Sequence, residues 1–579
     1  MKEFSRRDFI KLGGVGLAGL ALSGSGIPYI GPKRAYAKMP DRAWKFGVMA
    51  DTQWKTGAST VDPASCATTI IDALNEQFIQ HGCKFVVQVG DLVDKESVDG
   101  VRTLPTRAEH SSALYSAGIG FFPVRGNHES SQTAACEMTE LFPQMLGAGA
   151  NIFGANNFQS PDISGLNGLS YAFDYKNVRC VLIDQFVRSD GSCYNPSKSG
   201  DYNNNAVDQV EWVNSALSSN PINRHAFVFS HKNLIGQNHK DVLFGDSLTA
   251  NAEARNSFIK SLCENNVQYY LGGHDHMHHF STVTTDDGDS SVGQIICSSN
   301  SYKFYTPRDG DDGRETPFDQ ELYTIGYYIF TIDGPRVTVD FYSSSHGLDY
   351  GDVALIAPPA SLAFYLRDTF GYSLNGAGFD VAQGGSYTTV ADSYHGAEAK
   401  ILSGVNENTG TDQLGRPLSK HVNTGWSDAD RMEGAASGIL SLWGMADNLS
   451  LWDTELEGLL PDSDESRECD VYTLSMSYDR KNIDHSRIMK GDFVLAARDV
   501  DNGIWANAVD LNYDCEDKVF KKGPWRAEYG LGTYGVDPTT STAWAVINYE
   551  GDFVVKLLES EEKNRSRRRR VRRHCGMRR

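Results

Sequence analysis

Five short apolar runs in the sequence each end on polar side chains that could bind a metal ion or transfer a proton. The runs are residues 44–50, 84–89, 118–124, 225–230 and 267–271. The residues at their ends are, in chain order, Asp51, Gln53, Asp91, Asp94, Asn127, His128, His231, His274 and His276. Carboxylate and amide oxygens combined with imidazole nitrogens are typical ligands of divalent cations. If these side chains lie together, they form a metal centre.

The apolar runs predict the strands that would position these side chains. Each run is continuous rather than alternating, as in strands that are covered on both faces, and each is bounded by Gly or a polar residue. Helical periodicity is present between and after them, at residues 65–81, 107–117, 132–146, 207–217 and 252–265. This alternation indicates an α/β fold, in which ligands bind at the carboxyl ends of the strands.

The remaining segments of the first half predict a loop and further strands. Residues 147–170 are rich in Gly and Asn and predict an insertion loop over the site, and residues 171–175 and 178–184 predict a hairpin. The pattern from residue 280 to 342 is that of strands. We therefore expect residues 38–345 to form a β-sandwich flanked by helices.

Beyond residue 345 the helical periodicity largely stops. Short alternating runs, separated by Gly, Asn and Asp, occupy residues 386–391, 470–478, 492–499, 504–511 and 543–549. Asp501, Asn502 and Gly503 are a hairpin signal between two of these runs. The sequence predicts a β-rich, sandwich-like accessory domain at residues 346–562.

The net charge of the 579-residue chain is −20, and it is unevenly distributed. Residues 1–37 carry +4 and residues 563–579 carry +10, so the body between them carries −34. An acidic body repels nucleic-acid phosphates, and we expect no nucleic-acid partner. The basic tail at residues 563–579 is expected to be disordered and solvated, with contact to anionic lipid or nucleic acid as the alternative.

The N-terminal segment has the pattern of a targeting signal. Arg6 and Arg7 precede Phe9 and Lys11, a Gly-diluted apolar run follows at residues 12–30, and small residues follow at 35–37. The pattern resembles a twin-arginine export signal. That resemblance implies passage through the twin-arginine translocon, cleavage of residues 1–37, and a periplasmic or extracellular protein without stable membrane insertion. An uncleaved anchor is the alternative, although the many glycines make a poor bilayer span.

The ten cysteines include no Cys-x-x-Cys pair, which argues against a zinc ribbon or a thioredoxin-like motif. Disulfide bonds could form after export. Cys469 with Cys515 is the candidate pair.

The order of the strand-end motifs resembles that of the calcineurin-like metallophosphoesterases. The matching motifs are Asp51-x-Gln53, Gly90-Asp91-x-x-Asp94, Gly126-Asn127-His128-Glu129, His231 and Gly273-His274-x-His276. The resemblance covers residues 44 to about 345 and contains one substitution, because the family has His at the position of Gln53. It implies two divalent or trivalent metal ions, with Mn, Fe, Zn, Mg and Ca as candidates. Nothing comparable covers the C-terminal half.

The same resemblance implies that Asp91 bridges the two ions. The ligands expected for the first ion are Asp51, Gln53, Asp91 and His276. Those expected for the second are Asp91, Asn127, His231 and His274. Such a pair of ions lowers the pKa of a bridging water toward ~7, and the resulting hydroxide attacks phosphorus in line.

Side chains beside the ligands are expected to complete the reaction. His128 carries no metal in the family pattern, and we expect it to stabilise the transition state or to protonate the leaving group. Asp94 is expected to orient His128 through a hydrogen bond. Arg125, Asn127 and His128 are the predicted substrate contacts.

Together these features predict an exported dinuclear-metal phosphoesterase that hydrolyses small phosphate esters. One alternative is a phosphodiesterase that acts on nucleotide or lipid-headgroup diesters, since the same kind of centre serves both reactions. The other is a surface-binding protein with a vestigial catalytic domain, whose C-terminal sandwich binds a glycan or a partner.

Gln53 allows a test of the first predicted ion. A neutral amide oxygen is a harder and weaker ligand than imidazole, which favours Mn, Fe, Mg or Ca over Zn. We expect Gln53→His to shift the metal preference toward Zn, as measured by elemental analysis of protein loaded from a mixture of metals. An unchanged metal content would count against Gln53 as a ligand.

Overall fold

The computed structural model describes residues 43–558 with internal gaps, the longest of which are 55–64, 194–205, 346–361, 382–388, 403–411 and 446–468. The predicted signal peptide at 1–37 and the basic tail at 563–579 lie outside the described residues. Among the helices that are described, none combines the length and the apolar character that crossing a bilayer requires.

The helices and strands are labelled in chain order. The described α-helices are α1 (Thr68–Gln80), α2 (Leu104–His110), α3 (Ser112–Ser116), α4 (Gln132–Leu141), α5 (Ala206–Ser218), α6 (Ala252–Glu264) and α7 (His485–Ile488). The strands of the first half are β1 (Trp44–Met49), β2 (Phe85–Val89), β3 (Ser97–Val98), β4 (Val101–Arg102), β5 (Gly120–Val124), β6 (Asn156–Gln159), β7 (Tyr171–Tyr175), β8 (Val178–Ile183), β9 (His225–Ser230), β10 (Tyr269–Gly272), β11 (His278–Thr284), β12 (Ser291–Ile296), β13 (Glu315–Glu321), β14 (Thr324–Asp333), β15 (Arg336–Ser345) and β16 (Tyr365–Ser373). Those of the second half are β17 (Gly378–Val381), β18 (Thr389–Asp392), β19 (Ala397–Ile401), β20 (Lys420–Ser427), β21 (Ile439–Trp443), β22 (Tyr472–Ser477), β23 (Phe493–Asp499), β24 (Ile504–Asn507), β25 (Val519–Lys522), β26 (Thr533–Asp537), β27 (Thr542–Ile547) and β28 (Gly551–Leu557).

Two mixed sheets form the first domain. The six-stranded sheet has the order β16-β15-β14-β1-β2-β5, in which β1, β2 and β5 are parallel. The eight-stranded sheet has the order β13-β11-β12-β10-β9-β8-β7-β6, in which β8, β9, β10 and β12 are parallel. The six-stranded sheet is therefore parallel in the half that ends at β5 and antiparallel in the other half, whereas the eight-stranded sheet is parallel at its centre and antiparallel at both edges.

Aromatic side chains join the two sheets. Phe46 of β1 stacks on Phe330 of β14 with ring centroids 4.6 Å apart, and Phe227 of β9 meets each of these rings edge-on at 5.3 Å. All three side chains are fully buried. Edge-to-face aromatic pairs contribute about 0.5–1.5 kcal/mol beyond their buried area. The cluster holds β9 against β1, and the predicted sandwich is confirmed.

Helices cover the outer faces of the sandwich. The apolar residues at helical spacing in α1, namely Ile70, Ile71, Leu74 and Phe78, are buried, and Phe78 lies directly over Gly47 of β1. A Cβ at Gly47 would lie 2.3 Å from the Phe78 ring, so only glycine leaves room for this contact. Helices α5 and α6 cover the outer face of the eight-stranded sheet through a separate apolar cluster that includes Val213, Phe258 and Ile259.

The five strands predicted to end at the site are confirmed. β1, β2, β5, β9 and β10 lie within two residues of the expected runs. The hairpin of β7 and β8 is also confirmed, with Lys176 of its turn in the left-handed region at φ 50°.

Two predicted helices are shorter than expected. Residues 107–117 belong to α2 and α3, which are separated at Ser111, where the backbone N–H donates to the Ala108 carbonyl three residues back at 3.1 Å. Helix α4 ends at Leu141 because Phe142 precedes Pro143 and has non-helical dihedral angles, φ −123° and ψ 63°.

The prediction of a loop throughout residues 147–170 is wrong. The segment contains β6, which pairs with β7 at the edge of the eight-stranded sheet. Phe158 of β6 stacks on Phe173 of β7 with centroids 5.6 Å apart. This apolar anchor attaches the segment to the core in spite of its Gly-rich composition.

The predicted boundary at residue 345/346 lies too early in the chain. Strand β16 pairs with β15 along its whole length, and Phe370 of β16 stacks on Phe280 of β11 at 4.5 Å. Residues 365–373 therefore complete the first domain. The sequence did not indicate this pairing because the connection from β15 to β16 is long and has no hairpin signal.

Two six-stranded sheets form the second domain. Their orders are β17-β20-β21-β28-β23-β24 and β18-β19-β22-β27-β26-β25. They share an apolar core that includes Leu474, Phe493, Val536 and Phe553. The β-rich, sandwich-like prediction for this half is confirmed.

The candidate disulfide is wrong, since neither Cys469 nor Cys515 is bonded to another cysteine. Cys469 is buried in the core of the second sandwich, whereas the Cys515 thiol donates to the Asp517 carbonyl at 3.6 Å. The two side chains therefore serve separate contacts.

The assignment of β16 to the first domain can be tested with Phe370→Ala. Removing a buried phenylalanine costs about 3–5 kcal/mol. We expect hydrogen exchange, followed by mass spectrometry, to accelerate in β14 and β15 and to remain unchanged in β23. Phe493→Ala, in the core of the second domain, should give the reverse pattern. Equal acceleration of both domains by Phe370→Ala would contradict the assignment.

Candidate metal centre

The predicted ligands come from the strand ends of both sheets in the first domain. Asp51 and Asp91 follow β1 and β2 of the six-stranded sheet, whereas His231 and His274 follow β9 and β10 of the eight-stranded sheet. Two groups have donor atoms within 4.8 Å of one another, namely Asp91 with His231 and His274, and Asp51 with Asp91 and His276. Asp91 is common to both groups, and every member is buried. The arrangement suits two cations with one shared carboxylate.

The loops after β5 and β10 pass too close to the carboxylates of Asp91 and Asp51 to carry a side chain at the point of contact. A Cβ at Gly126 would lie 2.1 Å from Asp91 Oδ1, and a Cβ at Gly273 would lie 2.6 Å from Asp51 Oδ2. The His128 backbone N–H donates to Asp91 Oδ1 at 3.1 Å, and the His274 backbone N–H lies 3.2 Å from both carboxylate oxygens of Asp51. These glycines allow the backbone N–H groups that follow them to orient the carboxylates of Asp91 and Asp51.

Four of the predicted ligands have left-handed backbone conformations. The φ angles are 49° at Asp51, 48° at Asp91, 71° at His274 and 56° at His276. A positive φ is uncommon outside glycine, and it costs of order 1–3 kcal/mol when a residue is held there. The loops therefore hold these side chains in positions that a relaxed backbone would not adopt.

Acceptor atoms converge around His231. Its Nδ1 lies 3.0 Å from the Val89 carbonyl, which can only accept, so the ring proton is on Nδ1. Burial lowers the pKa of His231, so its Nε2 has a free lone pair. This lone pair faces Asn127 Oδ1 at 2.8 Å and Asp91 Oδ1 at 3.3 Å. Three acceptors that face one another need a cation or a donor between them.

The second group is arranged around His276. Its Nε2 lies 3.5 Å from Asp51 Oδ1 and 3.1 Å from the amide nitrogen of Gln53. An oxygen ligand at Gln53 requires a half-turn of the amide, which exchanges two groups of nearly equal size. Gln53 thus lies beside this group, but its amide nitrogen, rather than its oxygen, faces His276.

The two aspartates have opposite shifts of their pKa values. Burial and the nearby charge of Asp91 raise the pKa of Asp51 well above its usual value. Burial also acts to raise the pKa of Asp91, but the neighbouring imidazoles of His231, His128 and His274, in their protonated forms, and the hydrogen bond from the His128 backbone N–H outweigh it and lower the pKa below its usual range. Bound cations would offset the repulsion between the two carboxylates.

The backbone carbonyl of Asp94 orients His128. The prediction that the Asp94 carboxylate would do so is therefore wrong. His128 Nδ1 donates to the Asp94 carbonyl at 2.5 Å, whereas Asp94 Oδ1 lies 3.8 Å from this nitrogen. The contact leaves Nε2 on the side of Asp91, 3.8 Å from Oδ2. With about a quarter of its side chain exposed, His128 borders the centre on the solvent side.

The predicted substrate contact at Arg125 is wrong. Its guanidinium is fully buried and forms two hydrogen bonds with Asp184, at 2.6 and 3.0 Å, and a third with the Ser131 carbonyl at 3.2 Å. Arg125 therefore ties the end of β5 to the end of β8. The sequence did not reveal this because Asp184 lies in a different motif and a different sheet.

Two further residues of the centre were missed at the sequence level. Glu129 is buried and accepts from the backbone N–H of Val93 and Gly126, at 2.9 and 3.0 Å, so it joins the loops after β2 and β5. Asp241 lies 3.5 Å from His274 Nε2 and forms an ion pair with Lys232. The acid that follows His128 was a local signal for Glu129, whereas no local pattern indicates Asp241.

The residues present fit a pair of metal ions. The donor set combines carboxylate, amide and imidazole groups, as divalent cations require. In addition, His274 Nε2 is a buried nitrogen whose contact in the described part of the chain is the Asp241 carboxylate 3.5 Å away, at the limit of hydrogen-bond distance. Burial lowers the pKa of His274 to about 3, so the ring is neutral and able to ligate.

One family model matches the part of the chain that contains the candidate centre. Residues 45–278 match the family model of the calcineurin-like phosphoesterases. No curated protein matches the sequence. Among solved structures, the chain is similar to purple acid phosphatase PPD1 from yellow lupin (Lupinus luteus), with 10% identity and a TM-score of 0.36 over 57% of this chain and 54% of the lupin chain. It thus spans about half the length of that phosphatase.

Two further solved structures are similar to this chain. A dimetal phosphatase from Danio rerio has 15% identity and a TM-score of 0.33, over 51% of this chain and 95% of that protein. GAP50 of Plasmodium has 14% identity and a TM-score of 0.30, over 54% of this chain and 87% of that protein. The matched segment 45–278 includes all seven predicted ligands. Residues 45–278 form a calcineurin-like phosphoesterase domain, the domain of metal-dependent phosphoesterases.

Proposed function

We propose that this protein is an exported, metal-dependent hydrolase of small phosphate esters. The observation that carries the proposal is the sharing of buried Asp91 by two groups of donor atoms at the joint edge of two sheets. A single structural carboxylate would need one set of partners. Two sets around one carboxylate favour a dinuclear centre.

The ligands would divide between two cations. Asp51, Asp91 and His276 would hold one, with Gln53 after rotation of its amide. Asp91, Asn127, His231 and His274 would hold the other. When bound, such cations supply an activated water and neutralise charge that develops on a phosphoryl group.

The chain contributes a proton carrier beside this centre. The Asp94 carbonyl holds the proton of His128 on Nδ1, which leaves Nε2 directed to the side of the centre. A protonated Nε2 can donate to a phosphoryl oxygen or to the departing alkoxide, and a neutral Nε2 can take the proton back. The partial exposure of the ring permits contact with a substrate that enters from solvent.

The substrate class follows from charge. The body of the chain is strongly acidic, which disfavours polyanions such as nucleic acids and favours small phosphate esters. The N-terminal pattern supports export through the twin-arginine translocon, after which the protein would act in the periplasm or outside the cell, without stable membrane insertion. Diester hydrolysis and a vestigial centre are the competing functions.

His128→Ala tests the proton carrier. Loss of a positioned general acid lowers kcat by about 10²–10⁴-fold. We expect a loss of this size in p-nitrophenyl phosphate hydrolysis, with both metals retained by elemental analysis. His110→Ala, which removes a solvent-accessible histidine paired with Asp72, is the matched control and should keep wild-type kcat. Full turnover in His128→Ala would refute the role.

The substrate class is tested with p-nitrophenyl phosphate and its bis ester, each with Mn added. We expect hydrolysis of the monoester and abolition of activity in Asp91→Asn, because the shared carboxylate is lost. Preferential hydrolysis of the bis ester would replace the proposal with a phosphodiesterase. Turnover of neither ester would indicate a vestigial centre.

A further inference from the structure

A polar network joins the accessory domain to a loop of the candidate metal centre. The loop, residues 231–241, begins with the predicted ligand His231 and is called the β9 loop here. Arg416 lies shortly before β20 of the second domain. Its Nη2 donates to Gln237 Oε1 of the β9 loop at 2.8 Å, and its Nη1 donates to Glu315 Oε2 of β13 at 2.8 Å. One side chain thus joins the two halves of the protein at the edge of the centre.

Gln237 and Glu315 complete the contact. Gln237 Nε2 donates to both oxygens of Glu315, at 3.0 and 2.8 Å. Glu315 also accepts from His279 Nε2 at 3.0 Å and from Ser281 Oγ at 2.8 Å. Burial acts to raise the pKa of Glu315, but His279 and Arg416 lower it to about 2, so the carboxylate is charged. Loss of Arg416 would leave this buried charge poorly compensated.

The backbone of Gln237 continues the network to the ligands. Its N–H donates to Asp275 Oδ2 at 2.6 Å. Asp275 Oδ1 accepts from the backbone N–H and from Nδ1 of His239, at 2.9 and 2.8 Å. Asp275 is fully buried and lies in sequence between the predicted ligands His274 and His276. The His239 ring lies against the His274 ring with centroids 4.0 Å apart. Displacement of Gln237 would therefore disturb the surroundings of His274.

Arg416 is itself oriented before it meets the β9 loop. Asp412 Oδ2 accepts from Arg416 Nε at 2.6 Å, and Asp412 Oδ1 accepts from the backbone N–H of Leu414 and Arg416, at 2.9 Å each. The Ser419 N–H donates to the Pro317 carbonyl of β13 at 2.9 Å, which is a further contact between this part of the second domain and the first domain. A guanidinium that is already oriented loses little entropy when it binds a carboxylate.

We propose that Arg416 is a positioning residue through which the accessory domain holds the β9 loop at the metal centre. The consequence for catalysis rests on the proposed function, because only a phosphoesterase needs His274 and its neighbours in one arrangement. In this proposal the second sandwich contributes to the hydrolytic activity by ordering a loop of the metal centre, whether or not it also binds a separate partner.

The test compares Arg416→Gln with a matched variant of another arginine between the domains. Arg336 donates to Ser441 Oγ at 2.8 Å and to Asp552 Oδ1 at 3.3 Å, and its side chain is 13% exposed, against 14% for Arg416. Arg336 lies at the start of β15, beside the amino end of β1. Asp51 follows the carboxyl end of β1, so Arg336 and Asp51 lie at opposite ends of the strands. Arg336→Gln therefore removes contacts between the two domains at a place where the side chain does not touch the β9 loop.

Three quantities are measured on the full-length variants. Hydrogen exchange of residues 231–241 reports the order of the β9 loop, calorimetric titration with Mn reports metal affinity, and KM and kcat are measured with p-nitrophenyl phosphate. For Arg416→Gln we expect exchange in the loop about tenfold faster and Mn affinity about tenfold lower, the size of loss typical when a residue that supports metal ligands is removed. Arg416→Lys, which retains the charge opposite Glu315, should recover part of both. Arg336→Gln should leave the exchange of the loop and the Mn affinity at their wild-type values.

Several results would overturn the proposal. One is a wild-type rate of hydrogen exchange at residues 231–241 in Arg416→Gln. Another is an exchange rate at these residues that rises as much in Arg336→Gln as in Arg416→Gln. If Arg416→Gln does not fold, Gln237→Ala removes the same contact from the other side and should give the same local acceleration; normal exchange there would also refute the proposal. A wild-type protein that hydrolyses no phosphate ester would defeat the proposed function, while the exchange of the loop would still decide whether Arg416 positions it.

Discussion

The face-to-face packing of two sheets is the constraint on which the candidate metal centre depends. Its donor atoms come from the ends of β1 and β2 in one sheet and of β9 and β10 in the other, and they must converge within 4.8 Å. The Phe46, Phe227 and Phe330 cluster sets the distance between these sheets. Because protein cores are close-packed, a sliding of one sheet over the other would meet steric resistance before the donor atoms separated.

The same convergence concentrates unfavourable features in a small volume. Two carboxylates are buried together, three acceptors face one another around His231, and four ligand residues have a positive φ. Each feature would cost free energy in an ordinary core. A pair of cations accounts for the carboxylates and the acceptors at once, since it supplies the positive charge that both lack. The strained backbone then serves to direct the ligands, and the large apolar core around it offsets its cost.

The accessory domain extends this organisation. The first domain ends with β16, so the connection to the second sandwich leaves from a strand of the six-stranded sheet itself. Contacts between the domains involve both sheets of the first domain, since Arg336 of the six-stranded sheet pairs with Asp552, and Arg416 bonds to Gln237 in the loop that follows β9 of the eight-stranded sheet. Among the described residues, Arg416 connects the second sandwich to the neighbours of a predicted ligand without contributing a ligand of its own. The predicted ligands thus all come from the first domain, whereas the order of the β9 loop depends on Arg416 of the second domain.

The sequence by itself determined the elements and the chemical types. Apolar runs ending on Asp, Asn or His predicted the five central strands, and the helical spacing around Phe78 predicted α1, because both patterns arise from local backbone periodicity. Gly126 and Gly273 were visible as strand-end glycines, but the reason for them, the carboxylates 2.1 and 2.6 Å from any added Cβ, was not.

Only the tertiary structure decided which partners these residues meet. Arg125 was expected at the substrate and is instead paired with Asp184, and Asp94 orients His128 through its carbonyl, an atom that every residue has. Strand β16, Asp241 and Arg416 left no local signal. Their contacts span long separations in sequence, and such contacts are set by how whole sheets pack, which the periodicity of a short segment does not encode.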